Sequence, residues 1–423
     1  MRDKHNGTKK LKIGIFHSFF WGGGAELMRL IITSLLLKSE TLPIEIYVLI
    51  PNHSISIKQK IKRLIKKLLF NNNNRLNEIS LSKNQVLDYF NGINHRNLLF
   101  INYDQTKISL NKIIKENNID VIIPFIGTPQ QKLKIPWLGY IFDFQHKYLK
   151  NLFNEKEIKN RNKCFHECIK SAPAIIVNSK SVKEDILKFY PNINHNKIFN
   201  LPFAPIAKET WINSTSKFAY IKKKYNIFDS YFMISNQFWM HKSHETVFYA
   251  LKLLLEKYKI DTNLICTGNT HDNRNPKYFH ELKEKINQLS ITNNVTILGH
   301  IPKEDQIKLM RNSIAIIQPT LFEGGPGGGS TYDAISLGIP AIISDIKINK
   351  EINDTQVIFF KAKNHTDLAL KMLLRINKKK FEKPNKLFLI QKMNNNSEKL
   401  GSALLESINF AMKLYDNDKN TNI

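Results

Sequence analysis

Between Thr320 and Asp345 the chain reads TLFEGGPGGGSTYDAISLGIPAIISD, and the residue types there, in that order, describe a ligand site. Glu323 and Asp333 supply carboxylates that can accept hydrogen bonds from sugar or ribose hydroxyls. Between them Gly327, Gly328 and Gly329 carry no side chains to hold a ligand off the backbone. Ser330 or Thr331 is expected to cap a helix that runs through Leu337 and stops at Gly338. Unpaired N–H groups at such a helix start favour an anion, most often a phosphate. A glycine-rich surface loop with solvated acids is the plainer alternative. Against it stands the setting: the apolar run Ser313 to Gln318 reads as a buried strand before the loop, and Ala341 to Ile343 as the next strand. The carboxyl end of a parallel strand is where open α/β sheets bind ligands.

The elements that must position this loop alternate along the whole chain. Lys12 to Phe16 is a short apolar strand running into the Gly22-Gly23-Gly24 turn and an apolar helical stretch from Ala25 to Leu37. Further strands are expected at Ile44 to Ile50, Leu98 to Ile101, Val121 to Phe125, Leu138 to Phe142 and Ala174 to Val177, with helical patterns such as Asn111 to Glu116 and Ser181 to Phe189 between them. After Pro202 and Pro205 the pattern breaks. A second series follows at Tyr231 to Ser235, Asn263 to Thr267, Val295 to Leu298, Ile314 to Gln318 and Ala341 to Ile343. Alternation of this kind builds a parallel sheet covered by helices. The expected organisation is therefore α/β: a first Rossmann-like domain at 1–205, a linker at 206–230, a second Rossmann-like domain at 231–395, and a helix with a polar tail at 396–423. A cleft would lie between the two doubly wound domains.

Length supports two domains, since 423 residues exceed what one hydrophobic core usually serves. Nothing approaches the roughly 18 uninterrupted apolar residues of a membrane span, and the start MRDKHNGTKK lacks a signal peptide's apolar core, so the cytoplasm is the expected compartment. Three cysteines fit a reducing environment. Cys164, His166 and Cys168 invite a metal reading, yet on a helix His166 points away from the face the two cysteines share; structural thiols are the better reading. The formal charge of +27, from 63 basic and 36 acidic residues, attracts nucleic acid or an anionic membrane. No nucleic-acid-binding signature accompanies it, and nucleic acid is not an expected partner.

Taken together, these residues resemble the retaining glycosyltransferases of the two-Rossmann GT-B fold, family four, also described as glycosyl transferases group 1. Members carry a GG-x-E loop after the first strand, matched by Gly23, Gly24, Ala25 and Glu26. They carry a lysine after the first strand of the second domain, matched by Lys242, and a signature EGFGLP-x-x-EA-x-A-x-G-x-P, matched by Glu323-Gly324, Asp333-Ala334, Gly338 and Pro340. Three departures accompany the match. The two acids stand ten positions apart, two more than in the usual pattern, and the second is Asp rather than Glu. An arginine common five residues before the lysine is Gln237 here, which removes one charge from the phosphate site. In GYIFDFQH, Asp143 and His146 match a family stretch T-x-HD-x-QH, while Phe142 replaces the histidine often placed near the transferred sugar.

The resemblance implies a metal-independent hexosyltransferase whose nucleotide-sugar donor is a substrate, with no resident cofactor. Lys242 would meet the departing diphosphate together with the Gly327 to Ser330 backbone, Thr331 and the helix start. Glu323 would hold the donor sugar and Asp333 the ribose; Glu26, beside the close backbone of Gly23 and Gly24, would face the same cleft from the first domain. Asp143 and His146 are candidates beside the acceptor, though a histidine is as often a satisfied structural residue. The sequence GGGAE lacks the G-x-G-x-x-G spacing of a dinucleotide site, which weakens a nicotinamide enzyme. A GT-B nucleotide-sugar epimerase and a basic nucleic-acid binder remain the alternatives.

One stretch stands outside the cleft. Ser56 to Phe70, SIKQKIKRLIKKLLF, sets Ile57, Ile61, Leu64, Ile65, Leu68 and Leu69 at helical spacing with lysines and Arg63 on other faces. Such a helix either lies on anionic lipid or packs as an ordinary domain helix. On the first reading the protein is peripheral on the inner face of the plasma membrane, and the acceptor is a surface glycan or lipid-linked, as in O-antigen, lipopolysaccharide or capsule synthesis.

Overall fold

The computed structural model describes residues 9–16, 22–52, 96–213, 218–227, 230–378 and 384–420. The basic stretch 56–70 lies outside them. The first sheet contains β1 (Leu11–Phe16), β2 (Ile44–Asn52), β3 (Leu98–Asp104), β4 (Val121–Phe125), β5 (Trp137–Ile141), β6 (Ala174–Val177) and β7 (Ile198–Asn200). All pair in parallel, in the order β3-β2-β1-β4-β5-β6-β7. Helices α1 (Gly22–Lys38), α2 (Leu110–Asn117), α3 (Glu155–Ser171) and α4 (Lys180–Phe189) make the crossovers. The strands are runs such as VIIPF and AIIV, buried throughout, because helices cover both faces of the sheet.

The second sheet repeats the plan. Strands β8 (Tyr231–Ser235), β9 (Asn263–Thr267), β10 (Val295–Gly299), β11 (Ile316–Gln318), β12 (Ala341–Ser344) and β13 (Val357–Phe360) run in the order β10-β9-β8-β11-β12-β13. In both sheets the order reverses beside the first strand, between β1 and β4 and between β8 and β11. A crevice opens at each reversal, on the carboxyl side of the strands.

The expected α/β class, two doubly wound domains, is what the chain forms. The 206–230 segment is more structured than a linker: a turn of helix at Glu209–Ile212 buries Trp211, and α5 (Phe218–Tyr225) buries Ile221. The second domain adds α6 (His244–Glu256), α7 (Tyr278–Gln288), α8 (Lys303–Asn312), α9 (Gly328–Ser336) and α10 (His365–Asn377). The last helix, α11 (Lys386–Asn420), starts ten residues before the expected position 396 and ties the halves together. Leu389 packs in the second domain's core, while Leu400, Leu404, Ile408 and Ala411 complete the first domain's. At Gly401 a Cβ would come within 2.8 Å of the Ser34 carbonyl of α1, so glycine permits the helix contact. Among the described residues no helix is long and apolar enough to cross a membrane.

Candidate active site

The glycine loop leaves β11 at the switch point of the second sheet, and buried amides hold it. Gln318 donates from Nε2 to the Gly327 carbonyl at 2.5 Å and to Glu323 at 3.3 Å. Asn349 Oδ1 accepts from Gly327 N–H at 2.8 Å, and Leu321 N–H donates to the His241 carbonyl at 2.8 Å. Helix α9 begins at Gly328, two residues before the expected cap, because Gly327 with φ 71° takes the left-handed conformation there. Ser330 and Thr331 are consequently buried inside the helix. Thr331 donates its hydroxyl back to the Gly327 carbonyl at 2.7 Å, and a Cβ on Gly327 would lie 2.5 Å from that side chain. The first-turn amides after Gly328 are the ones the helix leaves for an anion.

Lys242 ends a short turn, Met240–Lys242, that follows β8. Its ammonium bonds Glu323, and each side chain is 11% exposed. Gln237 stands half-buried in the loop before that turn, its carbonyl accepting from Trp239 N–H at 2.8 Å. Asp333, 3% exposed on α9, is paired with Lys303 at the start of α8; burial pushes its carboxyl up against the pull of that lysine.

From the first domain, Gly23 and Gly24 form the first turn of α1, which starts at Gly22 rather than at the expected Ala25. Glu26 receives Arg29 Nε on both carboxylate oxygens, at 2.9 and 3.0 Å. Burial works to raise its pKa, but Arg29, with Lys303 and Lys208, holds the carboxyl below the ordinary range. Arg29, Lys208 and Lys303 all lie over the Trp211 ring, at 5.5, 5.6 and 5.4 Å. Glu26 and Asp333 thus share Lys303 across the cleft.

Asp143 follows β5 and accepts from Gln145 N–H at 2.9 Å and from Arg161 at 3.2 Å. Burial raises its pKa, and Glu323 across the cleft adds to the rise. The domains touch at this point: a Cβ on Gly324 would fall 2.3 Å from the Phe142 carbonyl. His146 sits elsewhere. It is fully buried among Phe144, Phe153 and Phe165, with Nε2 3.0 Å from Asn162, so its place is in the first domain's core rather than at the cleft.

At the carboxyl ends of β1, β3 and β4 the first sheet holds a cavity of about 570 Å³, lined by Phe16, Tyr103, Gln105, Phe125, Thr128 and Gln130 among others. Its size suits a small ligand. Cys168 and Cys164 lie against Gly139 and Gly127, where a Cβ would be 2.5 and 2.7 Å from their sulfurs, and fill space over the sheet.

The structure therefore brings Lys242, Glu323, Asp333, Glu26, Asp143 and the glycine turn to one cleft. Sequence reasoning missed Arg29, Arg161, Arg274 and Lys303, cations that sit beside these acids or aromatic rings. The available signal was position: Lys303 and Arg274 follow β10 and β9 at the same carboxyl edge that carries Lys242.

Known structures share this architecture. The chain aligns with a glycosyltransferase from Rickettsia africae ESF-5 at 16% identity and TM-score 0.56, covering 98% of each chain. It aligns with Anabaena HepE in complex with UDP and glucose at 12% identity and TM-score 0.54, covering 97% of this chain and 99% of that one. It aligns with WaaG, a glycosyltransferase involved in lipopolysaccharide biosynthesis, at 13% identity and TM-score 0.51, covering 93% and 94%. At these identities the likeness establishes the fold, GT-B. No curated protein matches the chain significantly. Residues 220–388, most of the second domain, match the family model of glycosyl transferases group 1.

Proposed function

We propose that the protein is a retaining glycosyltransferase of family four that moves a hexose from a nucleotide-sugar donor to a surface glycan or lipid-linked acceptor. The observation that carries this reading is the pairing of Lys242 with Glu323 beside the first turn of α9. A cation, a run of N–H donors and a carboxylate converge at the switch point of the second sheet. Those groups are what transfer from a nucleotide sugar needs. The cation and amides neutralise the departing diphosphate, each charged contact contributing about 1.5–3 kcal/mol. The carboxylate of Glu323 fixes the sugar hydroxyls, and Asp333 the ribose. Asp143 and the cavity at the first sheet's crevice form the acceptor side, where position matters more than chemistry. On this reading no resident cofactor or metal takes part in the departure of the diphosphate.

The formal charge of +27 supports a station at an anionic membrane face, on the cytoplasmic side, where lipopolysaccharide, O-antigen or capsule precursors are assembled. Among the fold relatives, HepE is seen in complex with UDP, and WaaG is a glycosyltransferase involved in lipopolysaccharide biosynthesis.

The test is incubation with a panel of nucleotide sugars, with and without glycan or lipid-linked acceptors, following release of free nucleoside diphosphate. Release that requires an acceptor supports transfer. Conversion of the donor to its epimer with no acceptor present would replace this reading with an epimerase.

A further inference from the structure

A nucleoside diphosphate brings two or more negative charges to the second domain, and Lys242, already paired with Glu323, answers one. Arg274 lies in the loop after β9, the strand beside β8, at the same edge of the sheet. Its guanidinium lies over the Trp239 ring of its own domain, 4.8 Å from the centroid, and 5.7 Å from the centroid of the Phe153 ring of the first domain. Trp239 in turn lies 5.6 Å from the His241 ring, and both Lys242 and Arg274 act on that imidazole. Both cations therefore stand near the His241 ring. Arg274 is tethered weakly, Nε to Asp272 at 3.3 Å, and among the described residues its terminal nitrogens have no hydrogen-bond partner. An arginine set over two aromatic rings, with its paired N–H donors uncommitted, is prepared for a bidentate oxyanion.

We propose that Arg274 is the second phosphate-binding cation of the donor site, contacting the diphosphate opposite Lys242. The proposal rests on the glycosyltransferase reading and adds to it a residue and a consequence. Because Phe153 belongs to the first domain, the arginine is fully braced only when the domains are closed. Donor binding and closure are thereby coupled. Arg161, which lies over the same Phe153 ring at 4.8 Å, is bonded to Asp143 and stays on the acceptor side.

The experiment compares nucleoside diphosphates with their monophosphates by calorimetry on the full chain, using the base that a UDP, GDP, ADP and CDP panel selects. Arg274→Ala should weaken the diphosphate by roughly tenfold or more and the matching monophosphate by less than about threefold. Arg274→Lys should fall between, keeping the charge and losing the fork. Placing Gln237→Arg in the Arg274→Ala background should restore part of the diphosphate affinity by returning one cation to the phosphate site. Thermal midpoints close to wild type verify that each variant folds. Unchanged diphosphate affinity in Arg274→Ala, or equal losses for the mono- and diphosphate, overturns the assignment of Arg274 alone. A wild-type protein that binds no nucleoside diphosphate overturns the glycosyltransferase reading and this assignment with it.

Discussion

Lys242 and Glu323 are bonded to each other although they belong to loops that follow different strands, β8 and β11. Each is the other's principal charge partner in a pocket that leaves both about one-tenth exposed. Lys242→Ala should therefore act twice. On the proposed reading it removes the cation that meets the leaving group, which should lower kcat/KM by on the order of 100-fold. Stranding the Glu323 carboxylate with only the Gln318 amide should also cost about 1–3 kcal/mol in urea unfolding. Activity within twofold of wild type would remove Lys242 from the site.

Within the glycine turn Gly327 is packed tightly and Gly329 borders open space, where the proposed function places the ligand. A Cβ on Gly329 meets no heavy atom within 4 Å, and Gly329 lies in a helix, where alanine is favoured over glycine by about 1 kcal/mol. Gly329→Ala should keep or raise the thermal midpoint while weakening nucleoside diphosphate binding. Gly327→Ala should instead destabilise by about 1–3 kcal/mol, since φ is 71° and the new Cβ meets Thr331. If Gly329→Ala binds the nucleotide normally, the ligand does not approach that backbone.

Two buried imidazoles give the fold an acid limit. His244 stacks on Phe238 with centroids 4.4 Å apart, and burial pushes its pKa down to about 3, with Lys242 adding to the shift. Below the ordinary value of about 6.5 the unfolded chain takes a proton that the folded chain refuses. Stability from this group is therefore complete above about pH 6.5 and falls by about 1.4 kcal/mol per pH unit toward the folded value. His241, pushed down chiefly by burial, acts with the same sign. His244→Phe keeps the stack and removes the proton, so unfolding free energy measured between about pH 6 and pH 4 should slope less, by about one proton's worth. An unchanged slope would refute it.

How much of this was legible follows from what each element depends on. Val121–Phe125, Ala174–Val177, Tyr231–Ser235 and Asn263–Thr267 fall where the sequence puts them, because a parallel strand buried on both faces is a continuous apolar run. Val357–Phe360 at the sheet edge is half-buried and short, and escaped notice. The start of α9 was misplaced because Ser330 and Thr331 are cap residues by type, whereas Gly327 starts the helix by conformation. The first half of α11, with its run of asparagines, hides a helix whose apolar residues serve two cores in turn. The cleft's acids were legible through local pattern. Their partners were not, since Arg29, Arg161 and Lys303 are three cations among 63 and only the closed fold selects them.

One further contact between the domains is announced by no local pattern. Glu351, beyond β12 in the second domain, accepts from the N–H groups of Lys180 and Ser181 at 2.8 Å each and from the Ser181 hydroxyl at 2.7 Å. Those groups start α4 of the first domain, so a carboxylate of one domain caps a helix of the other, with the helix dipole favouring its charge. Lys347 and Glu184 pair beside it. Water can satisfy both ends when the domains part, so the contact should bias closure rather than stabilise either domain. Glu351→Ala is accordingly expected to leave the thermal midpoint near wild type, to lower transfer by roughly tenfold through loss of the closed form, and to weaken nucleoside diphosphate binding in step with that loss, since the proposed Arg274 contact is braced only on closure. Small-angle scattering with nucleotide bound should then report a larger radius of gyration for the variant. Glu351→Gln, which keeps an acceptor and loses the charge, should be intermediate. Equal radii together with equal turnover would reduce the Glu351 cap to a passive surface contact.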